Sequence, residues 1–253
     1  MFYIILLFDP KILIPINVFL KHQMQKIGIP VFPGSNCDRD IYHVLTHLYN
    51  IKTDFIWHNK ENIKNYNAII IPGGFSFGDR LRAGIIAAHS PIIKEVKRLA
   101  NDGVPVLGIC NGFQILVESE LLPGSLIKNN CLNFICKWTD LKVRNTNTPF
   151  TSKFKKNELF KIPIANGEGR FILNEDQLKE IKKKNQIVFS YHQDDPNGSI
   201  DSIAGVSNDA RNIVGMMPHP ERTCQPELKL FGLNNSAMKI FDSLIAYIKK
   251  ISS

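Results

Sequence analysis

Val104-Pro-Val-Leu-Gly-Ile-Cys110-Asn-Gly-Phe-Gln114 is the stretch that decides the fold. Val104 to Ile109 is short, apolar and β-branched, the pattern of a strand buried on both faces. Gly108 and Gly112 then flank Cys110 with residues that carry no side chain. A sharp strand-to-helix turn needs this, because side chains there would collide with the turn itself. Phe113, Leu116 and Val117 continue as one apolar helical face. A cysteine so placed sits at a helix N-terminus, where the dipole and free N–H groups favour a thiolate. The pattern is that of the hydrolase nucleophile elbow, with Cys in place of Ser. An isolated cysteine is more often a buried structural residue. The G-x-C-x-G setting tips the reading toward a nucleophile.

Two further segments carry matching chemistry. Asn212-Ile-Val-Gly-Met-Met217 reads as a core strand ending at Pro218, followed by His219-Pro-Glu221. Open α/β sheets place their ligands beyond the carboxyl ends of strands. Pro218 and Pro220 are expected to hold the segment extended, which would point His219 and Glu221 the same way. Alone, they would pass for an incidental solvated loop. With Cys110 they make thiol, imidazole and carboxylate, the three parts of a nucleophilic amide-cleaving site. The third segment is the apolar run Ala68 to Ile71, which leads into Pro72-Gly73-Gly74-Phe75-Ser76-Phe77-Gly78-Asp79. Two adjacent glycines let a backbone approach a ligand and aim N–H groups at it. In acyl transfer such groups would hold the oxyanion. An ordinary glycine turn is the competing reading. A phosphate loop is not, since no Lys-Ser/Thr follows the glycines and no G-x-G-x-x-G is present.

Around these segments, strands are expected at 26–32, 53–57, 67–71, 104–109, 187–191, 202–206 and 212–217. A helix starts near Asp38 with Ile41, Val44, Leu45 and Leu48 on one face. Another starts at Ser90-Pro91, a hydroxyl N-cap with Pro at the first helical position. Ala237, Ile240, Phe241, Leu244 and Ile248 form the packing stripe of a C-terminal helix. Alternating strands and helices in 253 residues predict a single-domain α/β fold, with a mostly parallel central sheet flanked by helices. Residues 123–172 break the rhythm and predict a small β-rich excursion. No repeat, linker or low-complexity segment stands out.

The words Phe32-Pro-Gly-Ser-Asn-Cys-Asp38, Pro72-Gly-Gly-Phe-Ser-Phe-Gly-Asp79, Cys110-Asn-Gly-Phe-Gln114, Phe134-Ile-Cys-Lys137 and Met216-Met-Pro-His-Pro-Glu-Arg222 are distinctive together. The chain resembles the class I, triad-type glutamine amidotransferases, whose fold is flavodoxin-like. More narrowly, it is similar to the glutaminase subunits of phosphoribosylformylglycinamidine synthase. The resemblance runs from about Gly28 almost to the C-terminus. It implies Cys110 as nucleophile, His219 as general acid/base and Glu221 as its orienter. It further implies an oxyanion hole from the N–H groups of Gly74 and Asn111, and substrate contacts at Gly73 and Gln114. Ile164-Ala-Asn-Gly-Glu-Gly-Arg170 matches a loop beside the site. His is usual in the family where this chain has Asn166, so no family role carries over to that residue.

The implied reaction is attack of the Cys110 thiolate on the amide carbon of glutamine, a γ-glutamyl thioester, and hydrolysis to glutamate. The resemblance implies that the ammonia passes to a large synthetase subunit, joined by a small accessory subunit. That partner would use ATP and Mg²⁺ to convert formylglycinamide ribonucleotide to the amidine in purine biosynthesis. This chain is expected to hold neither a cofactor nor a metal. Two other classes compete: a stand-alone cysteine hydrolase of γ-glutamyl amides, and a non-catalytic metabolite-binding module. The intact Cys110, His219 and Glu221 argue against the second.

Five irregularly spaced cysteines form neither a disulfide framework nor a zinc pattern, which favours a reducing cytoplasm. A net charge of +8 could suggest nucleic acid. The lysines are scattered, however, and Lys182-Lys183-Lys184 reads as a solvated helix face, so no nucleic-acid partner is expected. Met1 to Gln23 is apolar but interrupted by Asp9, Pro10, Lys11 and Pro15. That is too broken for a membrane span, and no signal-peptide pattern is present. Residues 1–23 are therefore expected to be an atypical extension ahead of a 24–253 amidotransferase domain, either translated upstream of a physiological start at Met24 or poorly ordered.

Overall fold

Eleven strands and six α-helices carry the described chain: β1 (Lys26–Val31), α1 (Asp38–His43), β2 (Lys52–Trp57), β3 (Ala68–Ile71), α2 (Ile85–Ala88), α3 (Pro91–Asn101), β4 (Val106–Ile109), α4 (Asn111–Glu118), β5 (Ser125–Ile127), β6 (Ile135–Val143), β7 (Leu159–Asn166), β8 (Arg170–Ile172), α5 (Glu175–Lys183), β9 (Ile187–Tyr191), β10 (Ile203–Ser207), β11 (Ile213–Met216) and α6 (Lys239–Ser252). These come from a computed structural model that describes residues 25–225, 227 and 235–252. The expectations for residues 1–23 and for a start at Met24 fall outside the described residues.

Strands β3, β4 and β11 are buried along their whole length. Apolar residues on both faces of a strand can be satisfied only in the middle of a covered sheet. The nine-stranded sheet runs in the order β2-β1-β3-β4-β11-β10-β9-β6-β7. The first five strands are parallel, and β4 lies between β3 and β11. The carboxyl ends of those three central strands therefore meet at one edge of the sheet. That is where the Gly73-Gly74 turn, Cys110 and His219 leave the sheet.

The remaining strands are antiparallel. The expected excursion at 123–172 is β-rich, but most of it is not a separate piece. Strands β6 and β7 extend the main sheet through the β6–β9 pairing, while β5 and β8 form a two-stranded sheet of their own. The β7 strand thus returns to the site end of the sheet and ends at Asn166.

Helices seal the faces. Ile41, Val44 and Leu45 are buried as expected, the last two in a π-helical turn (Val44–Leu48) that continues α1. Ser90 caps α3 by position with Pro91 at the first turn, but its side chain makes no capping hydrogen bond. Asn174 does make one, in a full capping box with Gln177 that starts α5. The stripe Ala237, Ile240, Phe241, Leu244 and Ile248 is fully buried. Among the described residues, no helix is long and apolar enough to cross a membrane. Lys182 pairs with Asp201, and Lys184 pairs with Glu180 and Asp209. Two of the three consecutive lysines are thus paired within the chain.

Candidate active site

Cys110 occupies the junction of β4 and α4 with φ +50° and ψ −105°. For a residue with a Cβ such a conformation costs about 1–3 kcal/mol, so the surroundings must impose it. Its N–H donates to the Met216 carbonyl at 2.8 Å, and its carbonyl accepts from the N–H groups of Phe113 and Gln114. The elbow is thereby tied to β11 on one side and to the first turn of α4 on the other. The flanking glycines are required by close approach. A Cβ on Gly108 would meet the Gly112 carbonyl oxygen at 2.6 Å, within the turn itself. A Cβ on Gly112 would meet the Ile71 carbonyl oxygen at 2.2 Å, because β3 crowds the helix start.

The His219 N–H donates to the Pro163 carbonyl at 2.9 Å, tying the histidine to β7. Its Nδ1 lies 2.6 Å from Glu221 Oε1, with both side chains buried. The expected reason for this meeting is wrong. The chain does not stay extended beyond His219; residues Pro220–Thr223 form a 3₁₀ turn with Pro220 at its start. Proline suits that position because its φ is preset and its missing N–H has no helical acceptor. The turn, closed by the Thr223 hydroxyl donating to the Pro220 carbonyl at 2.7 Å, folds Glu221 back onto the imidazole. Burial disfavours the charged imidazole. The Glu221 carboxylate, with Cys110 and Cys37 close by, outweighs it and holds the His219 pKa well above the usual histidine range. Nε2 makes no hydrogen bond in this arrangement and remains available to the thiol side.

Gly73 sits behind these groups. A Cβ there would stand 2.8 Å from His219 Cε1, 3.2 Å from Cys37 Sγ and 3.4 Å from Cys110 Cβ. Its carbonyl accepts from the N–H groups of Asn36 and Cys37. Gly74, at φ +144°, lines a cavity of about 250 Å³ together with Cys110, Gln114, Phe75, Asp79 and Glu168. Asn111 is the first residue of α4, where backbone N–H groups have no intrahelical acceptor. Its side chain accepts from Ser76 N–H at 3.1 Å and donates to Gln114 Oε1 at 2.8 Å. Gln114 Nε2 in turn donates to the Glu168 carbonyl at 2.7 Å. One chain of amides thus ties the glycine turn, the elbow and the 167–169 loop together. Asn166 lines the same cavity, buried, with both side-chain amide atoms unpartnered.

Cys37, Arg222, Asp79 and Glu168 were not singled out by sequence reasoning, although each lies in a word already quoted. Arg222 Nη2 donates to Cys37 Sγ at 3.1 Å, and its Nε is 4.0 Å from Glu221 Oε1. Cys37, His219 and Glu221 offer ligand atoms within 4.8 Å of one another. That group is already paired within itself and with the Arg222 guanidinium, which supplies the positive charge a cation would bring. Single-residue signals could not reveal these partners, because all depend on loops brought together by the sheet.

The geometry defines a nucleophile elbow that lines a small cavity, with a buried imidazole–carboxylate pair packed beside it across Gly73. Residues 24–248 match the CobB/CobQ-like glutamine amidotransferase domain, and the chain belongs to that family. It is 45% identical over 231 residues to the phosphoribosylformylglycinamidine synthase subunit PurQ of Methanosarcina mazei, covering 88% of this chain and 98% of that one. The solved structure of PurLQS from Thermotoga maritima contains a chain that superposes with a TM-score of 0.78 at 42% identity, covering 89% of this chain and 99% of that one. A glutamine amidotransferase from Thermotoga maritima shares the fold, with a TM-score of 0.58 at 15% identity over 90% of this chain and 99% of that one.

Proposed function

We propose that this chain is the glutaminase subunit of a phosphoribosylformylglycinamidine synthase, acting in purine biosynthesis through Cys110, His219 and Glu221. The observation that carries the chemistry is a strained Cys110 lining a cavity, with the buried His219–Glu221 pair beside it across Gly73. Similarity to PurQ along nearly the whole of both chains supports the place of this chain in such a complex.

In this reading the Cys110 thiolate attacks the side-chain amide carbon of glutamine. Charge develops on the amide oxygen, where the N–H groups of Gly74 and Asn111 receive it. His219, kept protonated by Glu221, gives its proton to the departing ammonia, and a γ-glutamyl thioester remains on Cys110. Water then enters, gives a proton to the now neutral His219, and releases glutamate. Gly73 leaves room for the imidazole, and Gln114 holds the loop at the cavity wall. The ammonia passes to a large synthetase subunit, which works together with a small accessory subunit. There ATP and Mg²⁺ drive conversion of formylglycinamide ribonucleotide to formylglycinamidine ribonucleotide. The working unit spans residues 24–253 and acts in the cytoplasm.

The deciding experiment measures glutamate release by the full chain with and without the synthetase partner, ATP and formylglycinamide ribonucleotide. Strong stimulation by the partner is expected. Full activity without any partner, on glutamine or another γ-glutamyl amide, would replace this reading with that of a stand-alone hydrolase.

A further inference from the structure

Glu221 carries a buried charge that its own hydrogen bonds satisfy only in part. Oε1 holds His219 Nδ1, while Oε2 is sealed from solvent and has no hydrogen-bond partner. A carboxylate so placed is pushed toward its protonated form. Across a contact of 2.6 Å, the shared proton can then sit on Glu221 as well as on His219. The charged and titratable groups that face the pair decide between the two. Cys110 faces it from the elbow, Cys37 from the residue before α1 and Asp40 from α1; Arg222 lies in the Glu221 turn and Cys224 just after it. From β7 comes the uncharged Pro163 carbonyl. Burial pushes the Cys224 thiol up to about 12, so it stays neutral. The Asp40 carboxyl is raised by burial first and then by the Glu221 charge, so an ionised Asp40 repels the carboxylate. Among these groups it is Arg222 that brings a permanent positive charge, with Nε 4.0 Å from Glu221 Oε1. Its side chain is 37% exposed, and holding a long exposed side chain in one place costs entropy. Cys37 supplies the anchor. Its buried sulfur accepts from Arg222 Nη2 at 3.1 Å and donates to Asn36 Oδ1 at 3.2 Å, and its N–H donates to the Gly73 carbonyl.

We propose that Arg222 and Cys37 are positioning residues for the reaction: Cys37 holds the Arg222 guanidinium beside Glu221, and that charge keeps the shared proton on His219 rather than on the carboxylate. This rests on the glutaminase reading above. The imidazolium is the form that can give a proton to the departing ammonia. A proton resting on Glu221 would leave a neutral imidazole facing the thiol side, with nothing to donate. Neither Arg222 nor Cys37 is among the residues that line the cavity, so both act through the imidazole–carboxylate pair and not on the substrate.

The test is the kcat–pH profile for glutamate release by the full chain with its synthetase partner. Arg222→Gln should lower kcat about tenfold or more and leave KM for glutamine unchanged. Its alkaline limb should move up by about one pH unit, because a cation has left the neighbourhood of the shared proton and the pair as a whole holds that proton longer. Mere displacement of Glu221 would do the opposite and move the limb down, so the direction separates charge from structure. Arg222→Lys keeps the charge and should recover part of kcat, which keeps the test alive if Arg222→Gln folds poorly. Cys37→Ser retains an acceptor and should lie closer to wild type than Cys37→Ala. Nitrogen NMR of histidine-labelled protein reads the proton without turnover. The His219 signals, identified by their loss in His219→Gln, should change from a doubly to a singly protonated ring in Arg222→Gln near pH 7. An imidazolium retained in Arg222→Gln, an unchanged kcat, or an alkaline limb that stays or moves down would overturn the proposal. A wild-type chain that releases no glutamate from glutamine would overturn the glutaminase reading, and the NMR comparison would still decide where the proton sits.

Discussion

Glu221 Oε1 lies 2.6 Å from His219 Nδ1, and the two side chains are almost wholly removed from solvent. The contact directs Nε2 toward the thiol side and keeps the imidazole charged where burial alone would neutralise it. Replacing Glu221 by Gln should lower kcat for glutamine by about 10²–10⁴, the scale seen when a histidine loses its orienting carboxylate. The sign of the pH effect follows from the raised pKa. Without the carboxylate the imidazolium is lost at lower pH, so the alkaline limb of the kcat profile should move down. In the wild-type chain, the stability contributed by charged His219 is complete below its unfolded pKa of about 6.5 and lost as pH rises through the higher folded value. A kcat–pH profile of Glu221→Gln with an unmoved alkaline limb would contradict this account.

Backbone strain at Cys110 makes a separate prediction. With φ at +50°, the position suits glycine better than any residue bearing a Cβ. Cys110→Ala and Cys110→Gly should both abolish glutamine hydrolysis. Cys110→Gly should be the more stable of the two by about 1 kcal/mol in urea unfolding, after its extra chain entropy is counted. Equal stability would mean that the turn stores no strain at this residue.

Gly112 and Gly73 should fail in different ways. A methyl group on Gly112 meets the backbone carbonyl and Cβ of Ile71, which cannot give without moving β3. Gly112→Ala should lose about 3 kcal/mol or more, the upper end of overpacking, and show a lowered Tm. A methyl group on Gly73 meets the imidazole edge of His219 and the side chains of Cys37 and Cys110. Gly73→Ala should keep most of its stability and lose activity through a displaced His219. Thermal unfolding and glutaminase assays on the pair separate the two effects.

The elevated Asp79 pKa predicts how stability varies with pH. A carboxyl whose folded pKa lies near 6, against about 3.9 unfolded, binds its proton more tightly in the native state. Stability from this group is therefore lost as pH rises from about 4 to about 6. Asp79→Asn should match the wild-type Tm near pH 4 and exceed it at pH 7. A variant less stable than wild type at pH 7 would show that the charge is compensated by a contact within the fold.

Much of the architecture was legible because it rests on local patterns. The runs at β3, β4 and β11 are apolar on every residue, and only the centre of a covered sheet accommodates them. The glycines around Cys110 marked a turn too tight for side chains, which the Gly108–Gly112 approach bears out. The C-terminal stripe was readable because helical periodicity places its five residues on one face. Strands β6 and β7 were recognised as β-rich, but their membership in the main sheet was not. Edge pairing depends on a distant partner, here β9, and leaves no local mark.

The site divides along the same line. The sequence by itself determined the residue types and their places at strand ends: a thiol at an elbow, a histidine after a strand, a pair of glycines. Those are short-range facts, set by turn sterics and by which residues can be buried. Only the tertiary structure decided how His219 meets Glu221, since the meeting depends on a 3₁₀ turn rather than an extended strand. It alone placed the Arg222 guanidinium against Cys37 and brought Asp79 and Glu168, 89 residues apart in the chain, to one cavity. The parallel order of β3, β4 and β11 makes this possible, because it gathers three carboxyl ends at one edge of the sheet. Contacts between loops that leave that edge are governed by distance in space, which the order of residues along the chain does not encode locally.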